Sequence, residues 1–127
     1  MTDPAPPGHL AAHLRRGDVL SPRCPSRLVL KHVTSTWGTL ALIVLQDGTL
    51  RFSELRRRVA GVSERMLSQT LKQLEGDGLV RRESFATVPP HVEYSLTDDG
   101  RQAARLVASL TDWIEERLPA LTGSAAA

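Results

Sequence analysis

The sequence holds little of what several large classes of protein require. It has a single cysteine, so no disulfide can form within one chain, and no apolar run is long enough to span a bilayer. No glycine-rich phosphate loop, paired-carboxylate motif or nucleophile elbow occurs in it. Residues 1–8 lack the basic start and apolar stretch of a signal peptide. These absences predict a cytoplasmic protein that is not an enzyme, needs no cofactor and does not contact a membrane.

The basic residues are concentrated in one part of a chain whose formal net charge is only +2. Residues 51–82 hold eight basic and four acidic side chains, whereas the residues from Thr97 onward hold three basic and five acidic ones. A phosphate-binding module needs such a local positive surface, but a solvated helical face has the same composition. The charge distribution alone leaves both interpretations open.

Capping residues, glycines and prolines predict a mainly helical fold with a small β-ribbon (α+β). Between Ser53 and about Glu75, two short helices, capped by Ser53 and Ser63 and joined by a turn at Gly61, match the helix-turn-helix pattern. Strands at 79–83 and 92–96 flank a tip with two adjacent prolines, as expected of a wing. The remaining predicted elements are a helix capped by Ser26, an apolar helix at 38–46, a short strand at 50–52, and a last helix capped by Thr97 and stopped by Pro119.

The second helix of the pair has an apolar and a polar face at a period of 3.6 residues. Leu67, Leu71 and Leu74 share the apolar face and are expected in the core. In a helix-turn-helix the N-terminal half of this helix leads into the major groove, so Arg65 and Gln69 are the candidates for base contacts. The other candidates for DNA contact, mostly through phosphates, are Ser63, Ser68, Lys72, Arg82 and His91. An ordinary polar surface helix is the alternative, and the ribbon and the basic segment favour DNA.

Several stretches together resemble the HxlR-type winged-helix regulators, which are relatives of the MarR-type group. The resemblance covers about residues 24–116. It is carried by Cys24-Pro25, Trp37, 50–56, 63–75, Asp77-Gly78-Leu79-Val80, 88–94, Leu96-Thr97 and Gly100. Two departures are Thr34-Ser35-Thr36, where the family often has Gly-Asp-Lys, and His91, where it usually has Arg or Lys. The second implies a weaker, pH-sensitive phosphate contact from the wing.

The resemblance implies a homodimeric transcriptional regulator, expected to be a repressor, whose N- and C-terminal helices form the dimer. Because such a dimer is symmetric, we expect an inverted-repeat operator in double-stranded DNA. The implied DNA-binding domain is 22–116, between a mobile N-terminal extension (1–21) and a C-terminal tail (117–127).

Cys24 is the candidate for a redox-sensing residue. It lies two residues before the predicted cap Ser26 and between Arg23 and Arg27, so the helix dipole and both charges favour the reactive thiolate. The resemblance adds that some family members sense electrophiles, quinones or oxidants through a cysteine at this position. A buried structural cysteine is the alternative, and both interpretations stay open.

Three other kinds of site were weighed. A small-molecule ligand at the dimer interface would use Trp37 and Trp113, although packing is the simpler role for both. A winged-helix protein-interaction module is disfavoured by the polar, basic face of the second helix. His9 and His13 have the i, i+4 spacing of metal ligands, but they lie in the predicted extension, so we expect no metal site.

Overall fold

The computed structural model describes residues 19–123, and within them the chain forms five helices and a three-stranded sheet. In chain order the elements are α1 (Pro25–Thr34), α2 (Thr36–Leu45), β1 (Leu50–Arg51), α3 (Phe52–Arg58), α4 (Glu64–Gly76), β2 (Val80–Phe85), β3 (His91–Leu96) and α5 (Asp98–Thr122). This is a winged helix-turn-helix, which confirms the predicted fold class. Backbone contacts divide the chain into two compact units after Lys31. Most of the predicted extension 1–21 and the end of the predicted tail lie outside the described residues.

The core of the unit that begins at His32 is built around α2. This helix is apolar on most sides and buries Ala41, Leu42 and Leu45. One face of α4, the first turns of α5 and the inner face of the sheet pack around it. The other buried apolar residues are Leu55, Val59, Val62, Leu67, Leu71, Leu74, Leu79, Val80, Tyr94, Leu96, Ala104 and Val107.

The starts of α4 and α5 are fixed by the predicted caps. The Ser63 hydroxyl accepts a hydrogen bond from the Met66 amide at 3.0 Å. The Thr97 hydroxyl accepts from the Gly100 amide at 2.9 Å and donates to the Gly78 carbonyl at 2.7 Å. Thr97 therefore holds the start of α5 against the chain that leaves α4.

The start of α3 differs from the prediction that Ser53 caps it. The helix begins at Phe52, directly after the two-residue strand β1, and Arg51 occupies the cap position. The physical reason is that the Glu54 carboxylate accepts from the Arg51 amide at 2.8 Å. This bond holds Arg51 at the cap position, so Ser53 lies within the first turn.

The sheet has three antiparallel strands in the order β1-β3-β2, so the predicted short strand at 50–52 pairs, as β1, with the base of the predicted two-stranded ribbon. Leu50 and Arg82 stand on either side of Tyr94. The β2–β3 pair continues to Phe85 opposite His91, and residues 86–90 form the exposed tip. The central strand β3 thus links the base of the domain to the wing.

Three further helices have ends that differ from the prediction, and one of them is α2, which spans Thr36–Leu45 rather than 38–46. α1 begins at Pro25 rather than after Ser26, because a proline suits the first position of a helix. α5 does not stop at Pro119 but continues to Thr122, followed by Gly123 at a φ of 73°. Pro119 removes the donor for the Glu115 carbonyl, and since this end of the helix is exposed, water can satisfy that carbonyl.

No single helix among residues 19–123 is long and apolar enough to cross a membrane. α1 and α2 reach the required length and composition only when taken together. The apolar character of α2 is explained by its place in the core, where it contributes four buried residues.

Candidate nucleic-acid interface

α4 has one buried apolar face and one exposed polar face, as the sequence predicts. Leu67, Leu71 and Leu74 are buried, and the sequence missed Thr70, which is buried beside them. The candidate residues Ser63, Arg65, Ser68, Gln69 and Lys72 are all exposed. Because the cap at Ser63 fixes where the helix begins, these side chains form one polar surface along its outer side.

The turn between α3 and α4 sets the approach of the two helices. Gly61 has a φ of 92°, a left-handed conformation that strains any other residue, as predicted from its place in the turn. Arg56 on α3 lies 3.8 Å from Glu64 on α4. Together with Arg57, these two side chains line a groove at the mouth of the turn. The sequence located these arginines in the basic segment but did not single them out.

A groove lies between α4 and the base of the wing. Its lining consists of Ser68, Lys72 and Glu75 from α4, Arg82 from β2 and Tyr94 from β3. The groove brings together three predicted DNA contacts, at 68, 72 and 82, whereas the other four lie outside its lining. Sequence reasoning missed Glu75 and Tyr94, because only the sheet register places Tyr94 opposite Arg82.

His91 is placed inside the wing rather than on its outer surface. Its ring stacks on Phe85 with centroids 4.9 Å apart, and its side chain is 19% exposed. Nε2 lies 3.0 Å from a Glu93 carboxylate oxygen, and Nδ1 lies 3.2 Å from the Thr87 hydroxyl. Both ring nitrogens therefore have partners within the wing, and a phosphate contact from His91 would have to replace one of them.

The comparison with known families identifies the chain. The model of the HxlR-like helix-turn-helix family matches residues 32–122. The chain belongs to this family. It is 56% identical over 110 residues to the uncharacterized HTH-type transcriptional regulator YtfH of Escherichia coli strain K12, covering 87% of each chain. This HxlR-like chain is a transcriptional regulator with a helix-turn-helix DNA-binding fold.

Solved structures resemble the HxlR-like chain over most of its length. The transcriptional regulator YtfH from Salmonella typhimurium has a TM-score of 0.80 and 57% identity, over 84% of this chain and 96% of that one. The redox regulator HypR in its reduced form has a TM-score of 0.71 and 36% identity, over 79% of this chain and 99% of that one.

Cys24 directly precedes α1 in the HxlR-like chain and is buried. Its Sγ lies 2.8 Å from the Ser26 hydroxyl oxygen. The Arg27 guanidinium donates to the Leu20 carbonyl at 2.8 Å, and the Arg23 amide donates to the Ser21 hydroxyl at 3.3 Å. The structure thus places the thiol next to a hydroxyl and turns one flanking arginine toward a backbone carbonyl.

The outer side of α5 is apolar. Trp113 is 51% exposed there, whereas Trp37 is half-buried and packs against the core. The exposed apolar side chains of α5 are Leu106, Leu110, Trp113, Ile114, Leu118 and Leu121. Within residues 19–123, no group of three or more histidines, cysteines and carboxylates could hold a metal ion, and His9 and His13 lie outside that range.

Proposed function

We propose that this regulator binds an inverted-repeat operator in duplex DNA as a homodimer and represses transcription by occupying it. The observation that carries the proposal is the exposed polar face of α4, the second helix of the helix-turn-helix. Within residues 19–123, neither Arg65 nor Lys72 forms an ion pair, so both charges are available to a ligand. In this fold, that face is the one that enters the major groove.

Base readout is assigned to Arg65 and Gln69 in the first two turns of α4. An arginine guanidinium can donate two hydrogen bonds to guanine, and a glutamine amide can pair with adenine. Both side chains are exposed and belong to a helix whose start is fixed by the Ser63 cap. A rigid helix start matters because base contacts depend on the angle at which the side chains leave the helix.

Phosphate contacts are assigned to Ser63, Ser68, Lys72 and Arg82, with His91 as a weaker one. Lys72 and Arg82 line the same groove from the helix and from the wing, so together they can neutralise the backbone beside the major groove. Such contacts orient the protein without reading sequence.

The homodimer is assigned to the apolar outer side of α5. A row of six large apolar side chains, each at least 39% exposed, exceeds the scattered apolar residues of an ordinary surface. Burying it against the same helix of a second copy would contribute about 25 cal/mol per Å² of apolar area. A two-fold dimer also presents two copies of α4, as an inverted repeat requires.

The decisive experiment compares base preference with general affinity. Bound sequences are selected from random duplexes, and affinities for the selected operator and an unrelated duplex are then measured by fluorescence anisotropy. We expect Arg65→Ala and Gln69→Ala each to lose about 1–3 kcal/mol on the operator and to relax base preference. Arg82→Ala should weaken both duplexes alike and flatten the salt dependence.

Arg81→Ala is the matched control. Arg81 is exposed and adjacent to Arg82, but successive residues of a strand point to opposite faces, so its loss should change affinity much less. Unchanged operator preference in Arg65→Ala and Gln69→Ala would show that α4 is not the recognition helix of this protein.

We further propose that Cys24 makes operator binding sensitive to oxidants or electrophiles. The observation in favour is the Sγ contact with the Ser26 hydroxyl, because a thiolate at this place can accept a hydrogen bond from that hydroxyl and is stabilised by it. The similarity to a redox regulator supports the proposal.

Operator affinity is measured before and after diamide or a quinone, with Cys24→Ser as the control. We expect treatment to change affinity only in the wild type. Equal affinity in all four samples would leave Cys24 as a packing residue.

A further inference from the structure

The hydroxyl of Tyr94 is the starting point. Tyr94 is the only tyrosine of the chain, lies on the central strand β3 and is 8% exposed. Its ring contacts Phe52 with centroids 6.5 Å apart. A buried tyrosine hydroxyl ordinarily has a hydrogen-bond partner, but none of residues 19–123 supplies one to Tyr94. The hydroxyl is therefore available to a group from outside the described residues.

Tyr94 lines the groove between α4 and the wing, so such a group can reach it there. Arg82 is its cross-strand partner, and directly opposite residues lie on the same face of a sheet. Ser68 and Lys72 are four residues apart and share one face of α4. Two cationic residues, a serine and the tyrosine thus line a single groove, and Glu75 is the one carboxylate residue in its lining.

We infer that this groove receives one backbone phosphate of the bound DNA and that Tyr94 donates its hydroxyl hydrogen to that phosphate. The inference rests on the proposed DNA binding and names a further residue for it. Phosphate oxygens only accept hydrogen bonds, and the guanidinium and ammonium in the groove only donate them. A base edge carries both donors and acceptors, so it fits this set of side chains less well.

The nearby carboxylate of Glu75 leads to a second prediction, in which DNA affinity changes in the opposite direction. Glu75 repels a phosphate that enters the groove, so its charge limits how tightly the phosphate is held. Glu75→Gln keeps the shape of the side chain and removes this repulsion. We expect the variant to bind all duplexes a few times more tightly, whereas Tyr94→Phe should bind them all more weakly.

The central test is a cycle between the tyrosine hydroxyl and single phosphates. Tyr94→Phe keeps the ring and its contact with Phe52, so thermal unfolding should be unchanged.

Operator duplexes carry one neutral methylphosphonate at successive positions, and each is bound to both proteins. We expect Tyr94→Phe to lose about tenfold in affinity on the unmodified duplex. At one position per half-site, the methylphosphonate should weaken the wild type more than the variant, because Lys72 and Arg82 still contact that phosphate in the variant. Lys72→Ala should likewise reduce the effect of the methylphosphonate at the same position. Equal losses at every position in both proteins would overturn the inference.

Because the chain has one tyrosine, labelling its hydroxyl-bearing ζ carbon with 13C gives a single NMR signal. The signal should shift when operator is added and stay in place with the duplex modified at the mapped position. An unmoved signal in a protein that binds DNA would contradict the phosphate contact but leave the proposed function intact. Failure of the wild type to bind any duplex would instead contradict the proposed function. The same shift with inorganic phosphate alone, at equal concentration, would show a free-phosphate site and overturn the assignment to DNA.

Discussion

The helices α4 and α5 are both amphipathic, but they leave opposite kinds of surface exposed. α4 buries its leucines and presents polar side chains such as Arg65 and Gln69 to solvent. α5 buries only Gly100, Ala104 and Val107 near its start, and large apolar side chains such as Leu110 and Trp113 are exposed. The surface on the side of α4 is therefore polar, whereas the surface on the side of α5 is apolar.

The contrast is consistent with the two partners proposed above, DNA and a second copy of the chain. A polar, cationic helix face can exchange water and counterions for a nucleic acid, and it costs little to leave solvated in the meantime. An exposed apolar face is unfavourable in water and is stabilised by a second apolar surface. Since α5 is a 25-residue helix that continues well beyond Val107, it can reach a second copy without disturbing α4.

The largest expected effect comes from changing the apolar face of α5. Trp113→Glu places a charge in the proposed dimer contact, so we expect a monomer by light scattering at micromolar concentration. Losing the link between two half-sites should reduce operator affinity on the order of a thousandfold. Gln102→Glu adds the same charge at another exposed position of α5 and should remain dimeric. A dimeric Trp113→Glu protein with unchanged operator affinity would rule out this face as the interface.

A smaller effect is expected where the start of α5 packs against the chain that leaves α4. A Cβ on Gly100, in the first turn of α5, would overlap the backbone carbonyl oxygen of Leu79, just beyond α4. Backbone cannot give way as a side chain can, so Gly100→Ala should lower the free energy of unfolding by roughly 2–3 kcal/mol. Chemical denaturation measures the loss.

Gly76→Ala at the end of α4 is the matched control for that change. A Cβ there would meet no atom within 4 Å, so the variant should be neutral or more stable by up to about 1 kcal/mol. If the two alanine variants were equally stable, the close approach of α5 to Leu79 would not hold in solution.

The sequence predicts α4 well because several local signals agree there. The leucine spacing sets the buried face, and Ser63 caps the helix as expected. The predicted start of α3 was wrong because Ser53 has the composition of a cap, whereas the bond from the Arg51 amide to the Glu54 carboxylate places the cap at Arg51. The end of α5 was wrong because Pro119 interrupts hydrogen bonding without ending the helix where water can satisfy the carbonyl.

The candidate site was predictable where it depends on one helix and not where it depends on several strands. A helical wheel is enough to expose Arg65 and Lys72 together. Tyr94 enters the groove only through the pairing of β3 with β2, and such long-range register cannot be read from local pattern. His91 was expected on the surface, yet stacking on Phe85 turns it into the wing.

The smallest expected effect concerns the end of α4, where a buried polar contact takes the place of the apolar contacts along the helix. His32 Nδ1 lies 2.7 Å from Asp77 Oδ2, and their side chains are only 12% and 9% exposed. Asp77 is the C-terminal cap residue of α4, so this contact holds the helix end from which the chain turns toward the wing. Asp77→Asn keeps the shape but replaces the charge-assisted bond, and the loss in unfolding free energy should be about 1–2 kcal/mol. Asp47→Asn removes the exposed ion pair with Arg58 and should cost less than about 0.5 kcal/mol. Equal losses in the two variants by denaturant titration would mean that the buried contact adds nothing beyond a surface pair. The end of α4 would then be held by its leucines alone.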